Sequence, residues 1–495
     1  MGIPDEPKFE HVTFKTRNVG FGMKFGTSGL RGLATELAGA ASALYATAFA
    51  TFLLESGLAR IGDEILIGRD FRASSPAIAA VCAAALSALG FIVVDCGAVP
   101  TPALALYAQA RKSGCLMITG SHIPADRNGI KFYRPDGEID KGDEREITRI
   151  ALQLEKRGYA LEGAVASRQH REAECKAFFM ARNRKLMEIN ALKGLTVGVY
   201  QHSTVARDLL VDILSYHCAT VVTLGRSEGF IPVDTEAVSD ETAQQFKLWA
   251  KEHRLDAVVS ADGDGDRPLV ADDHGDPLRG DLLGLITANF LQAKAVVTPV
   301  TSNSGIETAG SFKVVRTKVG SPFVIAAMLD LVASGHERVV GFEANGGLLT
   351  GTDFDPNGTK LPALPTRDSF LPILAALSLV NTSGQPLSEI GSSFQLPAAA
   401  ADRLENFSVE SSTRLMTYLR TAETNIAAFV GSIGVVSKVS DVDGLRITLA
   451  DKRVLHLRPS GNAPEMRCYV EAENREDAEL LLRTGLDRIR NWTQG

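Results

Sequence analysis

Ala257-Val258-Val259-Ser260-Ala261-Asp262-Gly263-Asp264-Gly265-Asp266-Arg267 runs from a short β-branched stretch straight into three carboxylates at alternate positions. A brief, uncharged run of this kind reads as a strand covered on both faces. The glycines that follow permit the backbone angles of a tight loop. The same arrangement occurs three times. The first copy starts at Ile65-Leu66-Ile67, passes a polar loop at 68–76 and an alanine-rich helical stretch, and returns to an apolar run at 91–94. The second spans an apolar run at 195–200, a loop at 201–204, a helical stretch at 206–214 and a run at 221–224. The third has an apolar run at 295–300, a loop at 301–305 and a run at 313–315. Each copy adds one more apolar run that ends in a loop of small and polar residues, at 119–124, 262–267 and 343–347.

Apolar strands alternating with helices predict an α/β fold with largely parallel sheets covered on both faces. Ligands then lie beyond the carboxyl ends of strands, so three comparable domains each offer one loop to a shared cleft. A charged helical segment at 143–157 and a polar stretch near 162–171 close the first unit. Gly275-Asp276-Pro277 precedes the third, and Asn381-Thr382-Ser383-Gly384-Gln385-Pro386 reads as a linker. The rest lacks the repeat; helical stretches at 411–422 and 476–489 surround short strands at 445–449 and 454–457, a smaller α+β domain. The expected division is 1–163, 164–277, 278–384 and 385–495.

A chain of 495 residues with 45% apolar and 22% charged residues is an ordinary globular protein, not a fibre, a disordered tail or a disulfide miniprotein. With 52 basic against 59 acidic residues the net charge is −7, which argues against nucleic acid as a partner. The six scattered cysteines form no CxxC and read as reduced thiols. Charged residues precede any apolar run, so no signal peptide is expected. The two uncharged stretches, 37–54 and 77–94, are too rich in Ala, Ser and Thr for membrane spans and read as buried helices. A soluble, cytoplasmic protein is expected.

Three loops carry chemistry of their own, and a fourth adds a possible sugar grip. Asp262, Asp264 and Asp266 can surround one hard cation, Mg²⁺ or Ca²⁺, since clustered carboxylates repel without one. Arg267 and Asp273 stand where an EF-hand would need glycine and a bidentate acid, so that reading is weak. In Thr119-Gly120-Ser121-His122-Ile123-Pro124, Ser121 is either a nucleophile or phosphate carrier, or simply a turn residue. Lys131 nearby could transfer a proton or contact phosphate. Arg458-Pro459-Ser460-Gly461-Asn462-Ala463-Pro464 is a plausible anion nest, or an ordinary polar turn. No Walker or dinucleotide motif is present. Glu343 and Asn345 offer an acid and an amide to sugar hydroxyls.

Taken in order, these loops resemble those of the α-D-phosphohexomutases over nearly the whole chain. Lys24-Phe25-Gly26-Thr27-Ser28-Gly29-Leu30-Arg31-Gly32 is similar to the opening motif of that family, and Gly68-Arg69-Asp70-Phe71-Arg72 with Ser74-Ser75 fits as well. Ser121 and His122 occupy the phosphoserine loop, Asp262 to Arg267 the metal loop, Glu343 to Gly346 the sugar loop and Arg458 to Pro464 the phosphate loop. Residues 341–347 and Leu364-Pro365-Thr366-Arg367-Asp368 resemble a bacterial phosphomannomutase subgroup. The resemblance implies three similar mixed-sheet α/β domains around a central cleft plus a smaller C-terminal α+β domain. It implies that phosphorylated Ser121 exchanges its phosphoryl group with a hexose monophosphate through a hexose 1,6-bisphosphate. The product would feed sugar-nucleotide (GDP-mannose) and polysaccharide synthesis. Mg²⁺ would lie on Ser121, Asp262, Asp264 and Asp266. His122 would belong to the catalytic loop, Arg31 and Arg267 would neutralise the transferring group, and Lys131 would help move the hydroxyl proton. Glu343 and Asn345 would hold sugar hydroxyls. Lys318, Arg458, Ser460, Gly461 and Asn462 would hold the rest of the substrate, chiefly its second phosphate. The expected partners are small hexose phosphates, with no nucleic acid and no membrane, for a monomer or homodimer.

The chain departs from the family pattern at Ile123, Asn345, Gly347, Asn462, Ala463 and Glu465. Ile123 stands where asparagine is usual, which puts one loop hydrogen bond in question. Gly347 stands where some members carry histidine. Mannose phosphate is the leading substrate; glucose phosphate or dual specificity, and less so glucosamine phosphate, are the alternatives. A non-catalytic sugar-phosphate binder and a Mg²⁺-dependent phosphatase are the readings from other classes.

Overall fold

The three copies of the sequence pattern fold into three sheets of one topology. The computed structural model describes residues 12–15, 23–26, 29–164, 168–460 and 464–492. In the first sheet Glu64–Arg69 is central, with Ile92–Ala98 and Gly114–Ile118 parallel on either side and Arg127–Arg134 antiparallel beyond Gly114–Ile118. The second repeats this with Thr196–His202 between Thr220–Arg226 and Ala257–Ala261, and Pro268–Ala271 antiparallel. The third places Ala295–Pro299 between Lys313–Thr317 and Val339–Phe342, with Leu348–Thr350 antiparallel. Leu364–Asp368 extends this sheet at its edge. Arg168–His170, Leu30–Leu33 and Lys24–Phe25 widen the first sheet. The fold is therefore the mixed α/β architecture the repeat predicts.

The two uncharged stretches are the helices Ala40–Glu55 and Ser75–Ala88, buried around most of their circumference against the first sheet. That double coverage explains why they carry no charged face. Among the described residues no helix is long and apolar enough to cross a membrane. Five cysteines are buried as free thiols and Cys218 is exposed.

The C-terminal part is one antiparallel sheet in the order Ala398–Leu404, Met466–Ala472, Val454–Pro459, Leu445–Leu449, Val436–Ser440, with its own core against Val409–Thr421, Glu423–Val430 and Arg475–Arg490. Three of these strands go unread in the sequence. Ala398–Leu404 is alanine-rich and carries no β-branched residue, so pairing with Met466–Ala472 rather than propensity makes it a strand. The expected linker at 381–386 is shorter than its composition suggests. The helix Phe370–Ser383 continues into it and stops at Gly384, whose φ of 69° is the left-handed ending glycine supplies cheaply.

A single apolar cluster runs from the first sheet through the second to the third, so these three units are packed as one body. Phe179 on Glu172–Asn183 and Phe370 on Phe370–Ser383 meet edge-on within it, centroids 4.9 Å apart and planes at 78°. Both are fully buried. Phe370→Ala removes this contact and is expected to cost about 3–5 kcal/mol, read as a lower urea midpoint with unchanged far-UV circular dichroism below the transition.

Candidate active site

In all three sheets the antiparallel fourth strand forces the chain to reverse at the carboxyl end of the third. The three reversals are the loops that hold Ser121, the aspartate triad and Glu343. Ser121 and the triad meet directly: the Ser121 hydroxyl donates to Asp262 Oδ2 at 2.5 Å. Gly263 allows that approach, because a Cβ there would lie 2.9 Å from the Ser121 carbonyl and 3.0 Å from the Phe230 ring.

Ser121 has φ of 54°, a conformation that costs a non-glycine residue about 1 kcal/mol or more. Arg72 holds it there. Its buried guanidinium donates to the carbonyls of Ser121, Ile123, Pro124 and Arg127 at 2.6–3.0 Å, and its Nε to Asp70 at 3.2 Å. Asp70 also accepts from Ser75 and Thr119, and Thr119 Oγ1 in turn accepts the Ser121 N–H at 2.7 Å. The guanidinium lies 4.0 Å from the Phe230 ring centroid. The loop is thus held through backbone carbonyls. Ile123 contributes one of them whatever its side chain, so the departure from asparagine leaves the loop anchored.

Asp262, Asp264 and Asp266 are fully buried, with one oxygen from each within 4.8 Å of the others. Asp262 Oδ1 accepts the N–H groups of Asp266 and Arg267. Asp264 Oδ2 accepts from Thr101 at 2.5 Å and Lys131 at 2.6 Å. Asp266 Oδ2 takes Lys131 at 2.5 Å and Arg367 at 2.9 and 3.0 Å. The remaining oxygens, Asp264 Oδ1 and Asp266 Oδ1, are buried and accept no hydrogen bond among the described residues, with Arg267 Nε 3.9 Å from Asp266 Oδ1. Buried carboxylate oxygens rarely stay unpaired. Two of them beside a third carboxylate, with oxygen donors only, fit a hard divalent cation. Burial, with Asp264 and Asp266 alongside, pushes the Asp262 carboxyl well up. Burial opposes ionisation of Asp266 too, but Arg367, Lys131 and Arg267 outweigh it and hold that carboxyl below its usual range. The same carboxylates overcome burial at Lys131 and keep it charged.

His122 lies between Ser121 and Arg267. Its Nδ1 accepts from Arg267 at 2.8 Å and is 3.3 Å from the Ser121 hydroxyl. Burial and the adjoining Arg267 lower its pKa to about 3, so the ring is neutral. Arg31 is lowered to about 10 by burial and by the neighbouring charges of Arg267 and Arg367. Guanidinium donors such as those of Arg31 and Arg267 suit an anion, whereas Arg367 is taken up by Asp266 and Glu343.

Glu343 and Asn345 sit on a tight turn in which Asn345 Oδ1 accepts the Gly347 N–H at 3.0 Å and Thr235 donates to the Asn345 carbonyl at 3.0 Å. Arg458 Nε donates to Asp443 at 2.9 Å, and the same Asp443 oxygen accepts the Val319 N–H. Asp443 thereby ties the phosphate-loop arginine to the turn that holds exposed Lys318. The Ser460 N–H donates to the Glu465 carbonyl at 2.9 Å. Gly461 and Asn462, like Thr27 and Ser28, lie outside the described residues. Sequence reading missed Thr101 and Thr235, which carry no local signal, and the work of Asp70, Arg72 and Arg367, whose partners are distant in the chain.

The phosphoglucomutase/phosphomannomutase family models match residues 22–158 (α/β/α domain I), 279–396 (α/β/α domain III) and 415–483 (C-terminal domain). A protein of Sinorhizobium fredii named phosphomannomutase is 55% identical over 465 residues, 94% of this chain and 98% of that protein. A Salmonella muenchen phosphomannomutase is 42% identical over 475 residues, 95% and 96% of the two chains. The crystal structure of a putative phosphomannomutase from Thermus thermophilus matches 94% of this chain and 98% of its own with a TM-score of 0.73 at 22% identity, a likeness of fold.

Arg72→Lys keeps the charge but cannot span four carbonyls. Amide hydrogen exchange across residues 119–127 is expected to quicken at least about tenfold, with the rest of the chain unchanged. In the unphosphorylated, metal-free protein the His122 ring is expected to show the nitrogen shifts of neutral imidazole from pH 8 down to pH 5. Its folded pKa lies below the unfolded value of about 6.5, so its contribution to stability is complete above that pH and is lost as the pH falls from there toward 3.

Proposed function

Because the chain belongs to the phosphoglucomutase/phosphomannomutase family, we propose that it is a phosphomannomutase that interconverts mannose 6-phosphate and mannose 1-phosphate. The observation that carries the reading is the 2.5 Å bond from Ser121 to Asp262, which joins a serine held at φ 54° to a cation-ready carboxylate triad. The identity of the sugar rests on the 55% and 42% identical relatives. The division at 163, 277 and 384 belongs to the same reading, as do a cytoplasmic location and hexose phosphates as partners.

Ser121 carries the phosphoryl group. In the forward step its P–Oγ bond breaks, a P–O bond forms to the free hydroxyl of the hexose monophosphate, and the hydroxyl proton passes by way of Lys131 to the serine oxygen left behind. The product, a hexose 1,6-bisphosphate, returns its other phosphoryl group to Ser121. Arg31 and Arg267 hold the transferring oxygens, and this positioning and charge neutralisation supply most of the catalysis. Lys131 helps move that proton: its ammonium donates to the serine oxygen as it is released and takes up the proton that the sugar hydroxyl loses. Asp262, Asp264 and Asp266 would hold Mg²⁺, which supplies further charge neutralisation at the phosphoryl oxygens. Glu343 and Asn345 accept and donate hydrogen bonds to sugar hydroxyls, and Lys318, Arg458 and Ser460 hold the phosphate that is not being transferred, with Gly461 and Asn462 assigned to the same loop.

The test gives the protein Mg²⁺, a trace of hexose bisphosphate and equal mannose 1-phosphate and glucose 1-phosphate, and follows both 6-phosphates by ³¹P NMR. Preferential conversion of the mannose compound is expected; equal or glucose-biased conversion reassigns the substrate. Ser121→Ala is expected to lower turnover by about 10⁴-fold or more, and substantial remaining turnover would rule out the phosphoserine route.

A further inference from the structure

Arg367 lies at the end of the edge strand Leu364–Asp368 of the third sheet, and its side chain is 2% exposed. Its contacts run in two directions. Nε and one terminal nitrogen sit 3.0 and 2.9 Å from Asp266 Oδ2 in the metal loop, and the other terminal nitrogen sits 3.2 Å from Glu343 Oε2 in the sugar loop. Room for this comes from Gly347. A Cβ there would stand 2.5 Å from Arg367 Cδ and 2.8 Å from Cγ, so the arginine fills the volume that a larger residue at 347 would take. The flanking residues fix the strand end. Thr366 donates to Glu138 at 2.6 Å, Ser369 donates to the Gly265 carbonyl of the metal loop at 2.7 Å, and Asp368 pairs with buried Arg182 at 3.3 Å.

We propose that Arg367 is a positioning residue that couples the sugar loop to the metal carboxylates. With Lys131 it occupies Asp266 Oδ2, which leaves Oδ1, with no hydrogen bond among the described residues and Arg267 Nε 3.9 Å away, to face the cation. Its charge is shared between Asp266 and Glu343. When the Glu343 charge changes, more or less of the guanidinium charge is left to face the cation, so the sugar grip and the metal grip shift together through one side chain. The proposal rests on the triad as a cation site but not on which hexose is bound.

The test titrates Mn²⁺, followed by electron paramagnetic resonance, into full-length unphosphorylated protein without substrate, as wild type, Glu343→Gln, Arg367→Met and the double variant. Glu343→Gln is expected to weaken Mn²⁺ binding by about fivefold or more when Arg367 is present, the lower end of ordinary site coupling, and by less than about twofold with Met at 367. Arg367→Lys, which keeps the charge without the two-pronged grip, is expected to fall between them. It also carries the comparison if the Met variant does not fold. Equal weakening by Glu343→Gln in both backgrounds overturns the proposal while leaving the metal site intact. Wild-type binding unchanged by Asp264→Asn removes the cation from the triad and overturns both. Neither result depends on mutase turnover, so a wrong sugar assignment does not touch it.

Discussion

Three carboxylates buried within 4.8 Å of one another are the constraint around which this molecule is arranged. Each buried charge costs several kcal/mol unless it is compensated, and each repels the other two. The compensation comes from far apart in the chain: Lys131 from the first sheet, Arg367 from the third, Thr101 from the start of a helix, and the Ser121 hydroxyl. Removing the Ser121 hydroxyl strips Asp262 Oδ2 of its donor, the expensive case, whereas Asp264 Oδ2 and Asp266 Oδ2 each keep a second donor if one is lost. The triad therefore links residues of the first three units, above the apolar cluster that packs them together.

The repeated topology makes that convergence possible. Two parallel strands flank a central one, and an antiparallel fourth strand turns the chain back at the same edge in every copy. Each reversal must present a loop at the carboxyl end of a strand, where a crevice forms. One loop was filled with a serine, one with aspartates and one with an acid and an amide. The scaffold sets the meeting point, and the loop residues set the chemistry that occurs there.

Much of this was legible in the chain. The uncharged runs gave away the buried strands and helices, because residues covered on both sides have no polar face to show. The Asp-Gly alternation at 262–266 marks a loop whose carboxylates could hold a cation, since the charge clustering is local and needs no knowledge of the fold. Other features were not legible. Ala398–Leu404 carries no strand signal of its own, and its partner strand makes it extended. Arg72 stood in a recognisable motif, yet its four carbonyl partners lie about fifty residues away, so nothing nearby in sequence announced its task. The Ile123 departure puts one loop hydrogen bond in question, and the main-chain oxygens by which Arg72 holds the loop do not depend on that side chain.

The sequence by itself determined the repeat, the α/β class, the acidic loop and the candidates Ser121, Glu343 and Arg458, because each is a pattern of neighbours along the chain. Only the tertiary structure decided which of those groups touch. It set Ser121 against Asp262, held Lys131 charged and His122 neutral, and used the empty space at Gly347 to lay Arg367 between two loops. The reason is physical. Protonation state and side-chain pairing depend on burial and on charges brought within a few ångströms, and in this chain Lys131 and Asp264, His122 and Arg267, and Arg367 and Asp266 are each more than a hundred residues apart.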